Sequence, residues 1–414
     1  MSQIPYWIWL TTLSGVSTQT QLRLLRQFGS PEAVFRADDE ALRHVEGLRK
    51  AELQTLQFRD FRRADAVLED CRSMGFHIIT MQDAEYPQRL LSIETPPLVL
   101  YYRGTLLPFD ELPVVSVVGS RRASLYGLTE AKTLGTQLAR CGGTVISGGA
   151  EGVDTMALEG ALQENVPVAA VLGNGLDVTY PKMNKKLFER VLERGCLISE
   201  YVPGTPPYGK NFPKRNRILS GLSLGVVVVE APKVSGSLIT AELALEQGRD
   251  VYAVPGNIGE ACCEGSNQLL QDGASLVTCG WDVLQSYQAR FPALLHFVDS
   301  RRKNAEFHPS AKPTKSAPES VETGREESGK NPADSEKRID NGQKRNYIGR
   351  KQTMETLNEQ ERILMKLLLE SRKHVDELID ESGLSAAQVL AAVTMLELKG
   401  CVTRLPGNWF TSNL

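Results

Sequence analysis

Four consecutive residues, Gly119, Ser120, Arg121 and Arg122, have side chains suited to holding phosphate oxygens. Glycine lets a backbone come close to a ligand, serine adds a hydroxyl, and each guanidinium can grip an oxyanion with two parallel donors. A second segment, Asn211-Phe212-Pro213-Lys214-Arg215-Asn216-Arg217, sets an aromatic among cations and amides. That mixture suits a single nucleic-acid strand: Lys214, Arg215 and Arg217 for phosphates, Phe212 as a face on which a base stacks. A third, Ser235-Gly236-Ser237, opens a helical pattern after the apolar run Val226–Glu230, and a helix N-terminus presents free N–H groups to anions. Each segment by itself has a plainer reading: an ordinary turn with solvated arginines, or Phe212 in a core with its cations in water. No strict GxGxxG occurs, since Ser147 stands where the first glycine would be before Gly149 and Gly152, and Gly173 and Gly175 lack a third. No P-loop pattern occurs either.

The elements around these segments explain why they should converge. Val114–Val118 is a β-branched run of the kind buried on both faces of a parallel sheet, and Leu128, Ala131, Leu134, Leu138 and Cys141 then follow at helical spacing. Thr144–Ser147, Val168–Leu172, Cys196–Ser199, Val226–Glu230 and Asp250–Val254 repeat the strand pattern, with helical patterns between them. The expected fold is α/β, a Rossmann-like, doubly wound, mostly parallel sheet, in which glycine-rich strand ends meet on one rim. Phe76–Thr80 and the residues to about 112 read as a lead-in packed against that sheet.

At 414 residues the chain has room for two or three domains. Its net charge of -3 means that any polyanion site must come from local clustering of Arg and Lys. The seven cysteines show no CxxC or Cys/His spacing; Cys262–Cys263 is the one close pair, and neither a disulfide framework nor a metal site is expected. The apolar start lacks a basic lead and a cleavage site, nothing reaches membrane-spanning length, and the expected location is the cytoplasm.

Residues 1–75 read as an all-helical domain. Trp7, Leu10 and Leu13 suit one helix face, Gly29-Ser30-Pro31 marks a stop and a new start, and Gly47 makes a turn. The pattern partly resembles a helix-hairpin-helix (SAM-like) domain, but Arg49 and Lys50 follow where a second turn glycine belongs, which favours a structural or protein-docking role. Residues 76–290 form the Rossmann-like core. Residues 300–352, rich in Lys, Glu, Ser, Pro and Asn, are expected to be a disordered linker. Residues 353–414 carry three helical patterns and two short strands around Pro406-Gly407-Asn408, a winged-helix-like plan. Gln388 and Glu397 are poor evidence for a base-reading helix, which leaves protein contact and DNA reading both open there.

The stretches VVGSRRASLYG, ISGGAEGVD, VLGNGLDVTYPKMN, SEYVPGTPPYGKNFPKRNRILSGLS and VVVVEAPKVSGSLITAELALEQGRDVYAVPGN resemble the bacterial DNA-processing protein A (DprA, also called Smf) family over residues 85 to 280 or so. The resemblance implies a single-stranded DNA binder, with no enzyme activity and no cofactor. Such a protein protects incoming strands in natural transformation, loads the RecA recombinase onto them, and works as a homodimer. It places phosphate contacts on Gly119, Ser120, Arg121, Arg122 and Lys182, matches Phe212, Lys214, Arg215, Asn216 and Arg217 to the family's basic loop, and adds Gly236 and Ser237. Dimer and RecA contacts would fall around Asn267–Leu276. The Asn257–Ser266 loop, with Cys262 and Cys263, departs from the family pattern.

The competing reading is a nucleoside-monophosphate phosphoribohydrolase on a related Rossmann core. Thr240 stands where that family's catalytic Glu belongs, and a hydroxyl is no general base at neutral pH. Glu242, about 200° further round the helix, should point elsewhere. A protein-interaction scaffold without DNA affinity, and a duplex-DNA regulator built on the winged helix, are further alternatives.

Overall fold

A computed structural model describes residues 3–298, 357–370, 372–399, 401–405 and 409–412. The expected linker, residues 300–352, and the Pro406-Gly407-Asn408 turn lie outside the described residues. The chain divides into two compact units, Met1–Pro309 and Ser310–Leu414.

In the first unit, nine strands build one sheet: β1 (His77–Thr80), β2 (Val99–Gly104), β3 (Val114–Val118), β4 (Thr144–Ser147), β5 (Val168–Leu172), β6 (Cys196–Ser199), β7 (Gly225–Val228), β8 (Asp250–Ala253) and β9 (Ser275–Leu276). Their spatial order is β1-β2-β6-β5-β4-β3-β7-β8-β9. From β6 to β9 every neighbouring pair is parallel, whereas β2 runs antiparallel to β6 and β1 antiparallel to β2. The lead-in segment therefore does more than pack on the sheet; it hydrogen-bonds to it and extends its edge. The chain winds outward from β3 through β4 and β5 to β6, then returns to the other side of β3 as β7. That reversal opens a crevice at the strands' C-terminal ends, the position where such sheets bind ligands.

Successive strand residues face opposite sides, and both sides are dry. Val115, Val117, Val145 and Val227 join one buried cluster, while Val114, Val118, Ile146, Val226 and Val228 join another. This alternation is why the strands read as unbroken apolar runs.

The N-terminal helices belong to the first of those clusters. In the helix Ile4–Thr12, Trp7, Ile8, Trp9 and Leu10 are all buried, so it is enclosed on more than the single face its spacing implied. Gly29 ends the helix Thr18–Phe28 at φ +83°, Ser30 Oγ accepts from Ala33 N–H at 3.1 Å, and Pro31 opens the next helix. The Gly47 turn (φ +71°) leads to Arg49, whose backbone N–H and guanidinium both bond to Glu52, which is buried.

The second unit has helices Glu359–Glu370, Val375–Ser382 and Ala386–Leu398 and a sheet of β10 (Lys373–His374), β11 (Val402–Leu405) and β12 (Trp409–Ser412), ordered β10-β12-β11. Leu364, Leu368, Leu378, Val389, Val393, Leu396 and Phe410 form its core. Three helices with a small antiparallel sheet make a winged helix. Among the described residues, no helix is long and apolar enough to cross a membrane.

Candidate nucleic-acid interface

The crevice between the β3 and β7 ends is an open cleft of about 660 Å³. The turn after β3 forms one wall. Ser120 N–H donates to Glu230 O at 2.7 Å, and Val153 N–H donates to Ser120 O at 3.2 Å, so the turn is held from both sides by backbone. A side chain at Gly119 would run into Val153 and Glu230 O, and one at Gly152 (φ +84°) would strike Ser120 O and Arg121 O. These glycines let the turn and the Val153–Ala161 helix meet. With its backbone fixed, the turn leaves Arg121 and Arg122 exposed, and Ser120 Oγ accepts from Arg122 N–H at 3.1 Å.

The opposite wall is the start of the helix Asn211–Leu222. Phe212 is half-buried, and the Arg121 guanidinium lies over its ring, 4.8 Å from the centroid. Tyr180 also packs by that ring, tilted and 5.6 Å between centroids, two residues before exposed Lys182. Gly173 makes room for the Phe212 ring, since a side chain there would collide with it. The glycine-rich end of β5 thus serves an aromatic ring.

The basic residues after Phe212 part company. Lys214 is exposed. Arg215 is 3% exposed and donates inward to Gly148 O at 2.8 Å, to Val171 O, and through Nε to Asn216 Oδ1 at 3.2 Å. It faces buried Asp154. Burial pushes the Asp154 carboxyl above its ordinary range, with Arg215 opposing, and burial lowers the Arg215 guanidinium to about 10, with Asp154 opposing. Asn216 Nδ2 donates to Gly236 O at 3.1 Å, tying this helix to the next. Arg217 donates to Glu200 Oε1 at 2.5 Å and to Thr95 O at 2.9 Å. Burial works against its charge, but Glu200, with Tyr201 and Tyr86, holds its pKa above the ordinary value.

The third segment closes the cleft. Ser235 caps the helix Gly236–Glu246, its Oγ accepting from Ser237 N–H at 3.3 Å and lying 2.8 Å from Ser237 Oγ; Gly236 is exposed. Gly119, Ser120, Arg121, Arg122, Phe212, Arg215, Asn216, Gly236 and Ser237 all line the cleft, whereas Lys182, Lys214 and Arg217 do not. Asp154 and Cys262 also line it, and sequence reasoning assigned neither. Asp154 sits in a quoted motif, ISGGAEGVD, so its signal was present; Cys262 comes from the departing loop. Thr240 lines the cleft with its hydroxyl bonded back to Gly236 O at 3.4 Å, and Glu242 is exposed outside it.

The family model described as DNA recombination-mediator protein A matches residues 77–288, and one described as DprA winged helix domain matches residues 350–408. The DNA processing protein DprA of Streptococcus pneumoniae is 43% identical over 217 residues, which cover 51% of this chain and 75% of that protein. Protein Smf of a Synechocystis strain is 35% identical over 292 residues, 70% of this chain and 73% of its own. The X-ray structure of the Streptococcus pneumoniae DNA processing protein A superposes with a TM-score of 0.60 at 37% identity, over 68% of this chain and 97% of that one.

Proposed function

The chain belongs to the DNA recombination-mediator protein A family, and from that premise we propose that it binds single-stranded DNA along the cleft between the β3 and β7 ends. One observation carries the reading: Arg121 lies over a half-buried Phe212 at the mouth of an open cleft, with Arg122, Lys182 and Lys214 exposed nearby. Such a platform stacks bases without reading them, while the cations follow the phosphates. Gly119, Ser120, Gly236 and Ser237 bring backbone to the strand. Arg215, Asn216 and Arg217 act by positioning, since their polar groups are turned into the protein. The proposal extends to the protein's work: protecting incoming strands in transformation and recombination, and loading RecA onto them as a homodimer. It keeps a division into helical (1–75), strand-binding (76–290), linker (300–352) and winged-helix (353–414) parts.

Fluorescence anisotropy with an oligo-dT strand and an equal-length duplex, across a salt series, tests the reading. It requires single-strand preference, a negative salt slope, and marked loss of affinity in Arg121→Ala and Lys214→Ala. Binding indifferent to both substitutions would move the site elsewhere.

A further inference from the structure

We infer that Cys262, Cys263 and Glu230 form a binding site for one thiophilic divalent cation of the zinc class. Their ligand atoms all lie within 4.8 Å of one another. The two sulfurs are 3.8 Å apart. Two thiolates each about 2.3 Å from a tetrahedral zinc are themselves separated by about 3.8 Å, so the pair already has the span of one coordination edge. Glu230 is fully buried. Its Oε1 accepts from Ser124 N–H at 2.9 Å and its Oε2 from Ser124 Oγ at 2.5 Å. A carboxylate offers about four lone-pair sites, which leaves capacity for a metal. The loop shape also fits: a side chain at Gly256 would collide with Cys263 Sγ, so the backbone passes over this sulfur only as glycine.

Two thiolates with one carboxylate select zinc-like ions over magnesium or calcium. Cys263 is buried while Cys262 lines the cleft, which supplies an entry path. Binding forms two metal–sulfur bonds and one metal–oxygen bond, and the two thiol protons pass to solvent. The cation would join three strand ends. Glu230 follows β7, the cysteines follow β8, and Ser124, held by Glu230, caps the helix Leu125–Arg140 that follows β3. Ligand-spacing rules miss the site because Glu230 is remote in sequence from the cysteine pair.

The test uses the reduced, full-length chain stripped of metal and needs no DNA. Cobalt titration should give thiolate-to-metal charge-transfer and visible d–d bands saturating at one equivalent. Zinc should displace the cobalt and protect Cys262 and Cys263 from alkylation, mapped by peptide mass. Cys262→Ser should weaken zinc binding by more than about 100-fold, beyond what outer-shell changes cost. Cobalt spectra without thiolate bands, or alkylation of both cysteines that zinc leaves unchanged, would overturn the inference. The alkylation arm uses the unmutated chain, so a variant that fails to fold does not blunt the test.

Discussion

Gly119–Arg122 and Asn211–Arg217 are both basic segments on one rim, and the fold puts them to opposite uses. The first leaves its two arginines in solvent, because backbone bonds through Ser120 already hold the turn. The second turns Arg215 and Arg217 inward, onto Gly148 O, Val171 O, Thr95 O and Glu200, and of its three cations leaves Lys214 exposed. A helix distributes consecutive side chains around its axis, so a run of cations on its first turns cannot all face one ligand. A tight turn holds its two arginines at the tip. Identical residue types therefore stay in solvent in one segment and become architecture in the other.

The sharpest way to break this comparison is to remove one arginine from each. Arg215→Ala leaves Asp154 buried and unpaired and should lower unfolding stability by roughly 3–5 kcal/mol in urea titrations. Arg121→Ala should change it by no more than about 0.5 kcal/mol. Equal stability losses would end the distinction. For the aromatic between them, Phe212→Ala should weaken oligo-dT binding by about 1–3 kcal/mol with little sequence preference, read by anisotropy. A third basic residue, Arg49, pairs with Glu52, and that pairing, with backbone N–H and Thr20 bonds, holds the buried carboxyl near 2. A carboxyl depressed in the fold stabilises it above the unfolded pKa, and that contribution fades as pH falls through about 2. Glu52→Gln should therefore cost about 1 kcal/mol at neutral pH, on the scale of one helix cap, and flatten the acid limb of thermal unfolding between pH 4.5 and 2. The smaller of the two binding effects is the coupling of Arg121 to Phe212: a double-mutant cycle on DNA binding should return about 0.5–1 kcal/mol.

Much of the fold was legible in local chemistry. β3, β4, β5 and β6 match the runs Val114–Val118, Thr144–Ser147, Val168–Leu172 and Cys196–Ser199, since burial on both faces demands continuous apolar residues. Gly29, Ser30 and Pro31 announced a helix end and a helix start by the backbone angle, cap and ring that each supplies. The two-residue β9 went unread because Ser275 and Leu276 are exposed and carry no apolar run. Helix faces are less legible: Ile363 stands in the same apolar stretch as buried Leu364 and Leu368 yet lies on the surface.

The sequence by itself determined which apolar stretches would be the central strands, which turns needed glycine, and that cations, glycines and one aromatic would gather where strands end. These are consequences of steric limits and burial acting within a few residues. Only the tertiary structure decided which cations reach solvent, that Gly173 makes room for the Phe212 ring, and that Glu230 meets Cys262 and Cys263. Those outcomes depend on which strands become neighbours, and neighbours are chosen by packing across the whole sheet.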